Sequence, residues 1–226
     1  GVMAVHDGSI LDFEWDDPQP IVKRIPPLIC VPTTSGTGSE VTLWAVITDP
    51  ARKIKYNVGG TGLIAAHVAL IDPLLTLGLP GPITAGTGMD AFAHCLEAYC
   101  SPFYHPMSAG IAVEGMRLVK EHLPVVYAEP GNIEARGHML SAAPMGAVAF
   151  QKGLGGIHSL SHPVGALYHT HHGLTNAVFM PYVLKHNRQH IETRIDRLAA
   201  WLGIAGGFDG FMIYVMTLRH DLNVPN

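Results

Sequence analysis

Thr87–Pro102 reads TGMDAFAHCLEAYCSP. Its apolar residues recur at helical spacing, and Pro102 stands just past the point where they stop, so Thr84–Tyr99 is expected to be an α-helix. Asp90 and His94 are four residues apart on it, which puts both side chains on one face, one turn apart. A carboxylate and an imidazole so spaced can ligate one divalent cation, or simply share a hydrogen bond on a helix surface. The pair alone does not decide between these.

A second stretch, GLGGIHSLSHPVGALYHTHHGLTNA (Gly153–Ala177), tips the balance. His158 and His162 are again four apart, and Pro163 is expected to end or kink their helix just after His162. His172 precedes Gly173 at the expected start of another helix. The chain holds 14 histidines against 14 Lys plus Arg, and five of them (158, 162, 169, 171 and 172) crowd together here. A packed core needs none of them, so a cation site built from both stretches is expected. Imidazoles with one carboxylate and no thiolate suit Fe(II) or Zn(II), with Ni, Co and Mn also compatible. Cys95 follows His94 and should point about 100° away around the helix; Cys95 and Cys100 are read as core residues. His171, next to His172, is a competing imidazole for the same cation, although neighbouring residues usually point apart.

Towards the N-terminus, LICV (Leu28–Val31) reads as a short strand and TTSGTGSE (Thr33–Glu40) as the loop after it. That loop can line an anion or cofactor site through its hydroxyls and backbone N–H groups, but it is neither a Walker A loop nor a GxGxxG turn. Val41–Asp49 and Lys53–Val58 flank Pro50-Ala51-Arg52 as a hairpin, and the apolar run His67–Pro73 suggests a buried strand. Further helices are expected over Met107–His122, Ile133–Phe150 with a kink at Pro144, Gly173–Lys185, Gln189–Leu202 and Phe208–Leu222. The fold class is therefore α/β followed by all-α, with the domain boundary near residue 80 (1–80 and 81–226).

Composition narrows the function. Of 226 residues, 48% are hydrophobic and 14% charged, the latter well below the usual ~25%, which excludes a disordered chain. The formal charge is −4, and no run of Lys or Arg offers a nucleic-acid surface. No stretch of about 20 apolar residues suggests a membrane span. Three cysteines without CxxC spacing, and an N-terminus without a signal-peptide pattern, point to the cytoplasm.

PTTSGTGSEVT (Pro32–Thr42), LIDPLLTLGLP (Leu70–Pro80), TGMDAFAHCLEAYCSP (Thr87–Pro102) and GIHSLSHPVGALYHTHHGLTNA (Gly156–Ala177) occur in an order and at separations that resemble the iron-containing (group III) alcohol dehydrogenases. The resemblance implies the end portion of a Rossmann-like dinucleotide-binding domain followed by a mostly helical, dehydroquinate synthase-like metal-binding domain. It implies Asp90, His94, His158 and His172 as ligands of Fe(II), or of zinc in some members. It places His162 beside the nicotinamide and substrate, as a proton relay or cofactor-positioning group, and Thr33, Thr34, Thr37 and Lys55 near the NAD or NADP. The implied reaction is hydride transfer between a small alcohol or aldehyde and the nicotinamide, with the metal as Lewis acid.

Nothing in residues 1–80 matches the family's Gly-Gly-Gly-Ser phosphate turn, so the chain is expected to be a fragment that starts late in the α/β domain and stops before the last helices. A sheet cut on one side leaves an unpaired edge, and self-association into homo-oligomers is expected. Two other readings stay open. A hydrolase or lyase could use the same donors to activate water, with Glu97 as general base. A non-catalytic remnant would bind metal without dinucleotide.

Overall fold

Helix α1 (Gly81–Cys100) is buried along nearly its whole length from Thr84 to Tyr99. Apart from Asp90, His94 and Glu97, its buried positions carry apolar or small side chains, and a helix with such residues on every face belongs inside a domain. It starts from an extended Pro80 with Pro82 in its first turn, where the missing N–H costs nothing. The computed structural model describes residues 1–15 and 17–225. Helices α2 (Pro106–Ala128), α3 (Ile133–Ala149) and α5 (His172–Trp201) pack directly on α1, while α4 (Gly156–Tyr168) and α6 (Gly207–Asp221) pack on α5. Phe92 of α1 stacks near Phe211 of α6, ring centroids 6.2 Å apart. No helix among the described residues is long and apolar enough to cross a membrane.

Several expected boundaries are revised. α5 is one helix rather than two, because the polar stretch Lys185–His190 interrupts the apolar pattern without interrupting the backbone. α3 runs unbroken past Pro144. α4 runs past Pro163 to Tyr168; its buried Ile157, Ser161, Gly165 and Ala166 hold the second half of the helix against the core despite the missing N–H.

Before α1 the structure is sparse in strands. β2 (Trp44–Asp49) and β3 (Ile54–Gly59) form the expected antiparallel hairpin, with Thr48 opposite Lys55. Asp49 shapes the turn, its carboxylate accepting from the Ala51 and Arg52 N–H groups. β1 (Ile29–Cys30) pairs in parallel with β4 (Val68–Ala69). The expected buried strand over His67–Pro73 is thus reduced to two residues, and Val68, Leu70 and Ile71 are exposed. The Asp72 side chain accepts from Leu74 N–H and turns the chain into a 3-10 helix over Pro73–Thr76. Among the described residues before Pro26, not resolved into elements by sequence, are two short 3-10 turns; Val2, Phe13 and Ile25 pack on Tyr56 and Val58 of β3.

Candidate metal centre

Three helices bring the predicted donors to one point. α1 supplies Asp90 and His94, α4 supplies His158, and α5 begins at His172. Asp90 Oδ1 lies 3.6 Å from Nε2 of His158, 3.6 Å from Nε2 of His172 and 3.8 Å from Nε2 of His94. Asp90, His94 and His158 are buried and offer donor atoms within 4.8 Å of one another. His172 retains about a quarter of its side-chain exposure and forms the wall nearest solvent. His162, one turn after His158, lies with its ring centroid 5.3 Å from that of His172.

Electrostatics keep these groups ready to donate lone pairs. Burial would raise the Asp90 carboxyl, but the three imidazoles overcome it and hold the group well below the usual carboxylate range. Burial pushes His94 down to about 4 and His172 to about 3, despite the adjacent carboxylate. His162 is pushed down to about 4 by burial, then by His158 and the Lys55 ammonium. His158 is the exception. Burial would depress it, but the adjacent carboxylates of Asp90 and Glu97 carry it up to about 9.

Sequence reasoning missed one residue of the site and gave another a different role. Asn176 Nδ2 lies 2.7 Å from Asp90 Oδ1, 3.1 Å from His158 Nε2 and 3.2 Å from His172 Nε2. The positive end of its amide dipole thus sits where the lone pairs converge, while its Oδ1 is buried without a partner among the described residues. Its only sequence signal was a polar side chain one turn beyond His172. Glu97 was named only as a possible base; it instead accepts from Ile157 N–H and bonds His158 Nδ1.

Of the remaining predicted residues, Lys55 approaches the helix that carries His158 and His162, and the threonines lie on a loop against α1. Lys55 reaches across from the hairpin so that its Nζ comes close to Gly165 of α4. The Thr33–Glu40 loop lies on α1, with Ser35 and Gly36 buried and Gly36 against Thr87. Thr33 and Thr37 are exposed and Thr34 half-buried. His171 is turned away from the donors: its Nδ1 accepts from Leu174 N–H and caps α5.

The donor set fits a divalent cation. The 3.6–3.8 Å from Asp90 Oδ1 to each imidazole are close to the spacing of two atoms about 2.0–2.2 Å from one tetrahedrally held ion; Asp90, His94 and His158 lie mutually within 4.8 Å, and three imidazoles with one carboxylate suit iron or zinc.

Comparison with known proteins gives this geometry its relatives. The model of the family "Fe-containing alcohol dehydrogenase family, C-terminal" matches residues 84–212, and that of "Iron-containing alcohol dehydrogenase" matches residues 1–73. The chain is 43% identical to 4-hydroxybutyrate dehydrogenase of Cupriavidus necator over 98% of its own length and 60% of that protein. It superposes on the crystal structure of 1,3-propanediol oxidoreductase with a TM-score of 0.93 at 31% identity, covering all of this chain and 60% of that one. Sulfoacetaldehyde reductase from Bifidobacterium kashiwanohense in complex with NAD+ aligns with a TM-score of 0.86 at 29% identity, over 99% of this chain and 59% of that one. The chain spans about half to three-fifths of the length of such relatives. With both halves of the sequence matched and the fold shared throughout, the chain belongs to the iron-containing alcohol dehydrogenase family.

Proposed function

We propose that the chain carries the metal-binding half of an NAD(P)-dependent alcohol dehydrogenase acting on a small alcohol or aldehyde. Residues 1–80 are read as the last part of the cofactor-binding domain and 81–226 as the helical catalytic domain. Asp90, His94, His158 and His172 would hold Fe(II) or Zn(II). The observation that carries this reading is the convergence of three Nε2 atoms within 3.8 Å of one buried carboxylate oxygen.

Bound there, the cation would supply Lewis acidity to a substrate oxygen. His162 stays neutral at physiological pH because its site is buried and faces Lys55, so it has a lone pair with which to take a proton from a substrate hydroxyl and return it. Lys55 offers its positive charge to the anionic cofactor. Thr33, Thr34 and Thr37 offer hydroxyls from a loop pinned to α1. The hydrolase reading loses ground because both oxygens of Glu97, the base it needs, are engaged by donors. Exposed Ile29, Val31, Val68 and Leu70 around the β1–β4 pair favour self-association, which size-exclusion chromatography tests: a monomer at all concentrations would refute it.

The deciding measurement is metal content by mass spectrometry with NADH binding by fluorescence, on the wild type and a His158→Ala, His172→Ala double variant. The proposal expects about one metal per chain, lost in the variant, together with NADH binding to the wild type. Metal without NADH binding would favour the remnant reading. A folded wild type that takes up no Fe(II) or Zn(II) would refute the site.

A further inference from the structure

Helix α4 opens without a side-chain cap of its own. Its N-cap is Gly155, and the first free N–H groups of the helix must find acceptors elsewhere. Glu97, buried on α1, provides one. Its Oε1 accepts from Ile157 N–H at 2.7 Å, while its Oε2 lies 2.5 Å from His158 Nδ1. A negative charge at this end of a helix is also favoured by the helix dipole. The fit leaves no slack, since a Cβ at Gly155 would come within 2.9 Å of Glu97 Oε1.

We propose that Glu97 is a positioning residue that turns His158 towards the cation site, by capping α4 with one carboxylate oxygen and holding His158 Nδ1–H with the other. This rests on the metal reading above only for its consequence, not for its geometry. With Nδ1 donating to Glu97, the opposite nitrogen, Nε2, is directed at Asp90 Oδ1, 3.6 Å away. His158 is thus gripped between two carboxylates that stand two turns apart on the same rigid helix. A ring free to rotate about its side-chain bonds would present a cation with the wrong nitrogen for part of the time, and carboxylate partners that prevent this raise affinity.

A carboxylate is the group that suits this place. Two donors face it, Ile157 N–H and His158 Nδ1–H, and ionised Glu has acceptors only. In Glu97→Gln the amide can accept from one of them, but its NH2 must oppose the other. Gly155→Ala leaves Glu97 intact and pushes it away with the new Cβ. The two variants therefore perturb one contact from opposite sides.

The test uses the full 226-residue chain in two measurements. In the metal-free protein with nitrogen-15 in its imidazole rings, the wild type should show a solvent-protected, downfield Nδ1–H signal for His158, lost or exchanging freely in Glu97→Gln. Zn(II) affinity by chelator competition should fall about 10- to 100-fold in Glu97→Gln and in the same direction in Gly155→Ala, with helical circular dichroism retained. An exchangeable or unprotonated Nδ1 in the wild type would overturn the proposal. So would wild-type Zn(II) affinity in a folded Glu97→Gln chain. If the wild type itself takes up no Zn(II), the metal reading fails, and the Nδ1–H signal alone decides whether Glu97 holds the ring.

Discussion

Gly173 at the start of α5 rests directly on the backbone of Gly86 in α1: a Cβ at Gly173 would lie 2.0 Å from the Gly86 carbonyl oxygen and 3.0 Å from Asp90 Cβ. Because His172 is the preceding residue, this contact sets its distance from Asp90. Gly173→Ala is expected to force the helices apart, costing about 1–3 kcal/mol and the metal site with it. Thermal unfolding and metal content of the purified variant check both effects; a variant with wild-type melting and metal would show that α5 can shift without loss.

Asn176 gives a prediction of a different kind. Its amide donates to Asp90 Oδ1, and removing a donor from a buried carboxylate costs about 1–3 kcal/mol. A bound cation would satisfy the same oxygen. Asn176→Ala should therefore melt well below the wild type when metal-free, and the gap should narrow on adding Zn(II). Equal gaps in both states would count against the shared role.

Glu40 tests burial on the Thr33–Glu40 loop. It is buried, and among the described residues no ion-pair partner faces it; desolvation raises its carboxyl above the ordinary 4.5. A raised carboxyl favours the folded state below its unfolded pKa, and that advantage is lost as pH rises through the folded value. Glu40→Gln should thus raise the melting temperature at pH 7 and bring no gain near pH 4. Melting curves at the two pH values suffice.

Burial pushes the Cys95 and Cys100 thiols up to about 12, so neither supplies thiolate at pH 8. A disulfide reagent should label one cysteine per folded chain, Cys30, and all three after denaturation. Rapid labelling of two or more in the folded state would contradict this packing.

Much of the site was legible because its chemistry follows helical periodicity. Asp90 with His94, and His158 with His162, are pairs at a spacing of four, and the structure keeps each on one helix. What sequence could not supply was partners across 61 and 86 positions. Glu97 and Asn176 look like ordinary helix residues until α1, α4 and α5 come together. Prolines misled in one direction: Pro163 and Pro144 both lie inside helices that run on past them, since tertiary packing outweighs one missing hydrogen bond. The apolar run at His67–Pro73 misled in the other, because a continuous hydrophobic strand implies cover on both faces and β4 has little among the described residues.

The enclosure of α1 on every side has a consequence for exchange with solvent. Segments of this kind open only when the whole domain unfolds, so the backbone amides around Asp90, His94 and Glu97 should be among the last to take up deuterium. Two of the donors and the residue that aims a third stand on that slowest segment. An ion leaving through the His172 side would then depart from a scaffold that stays closed behind it, ready to accept another.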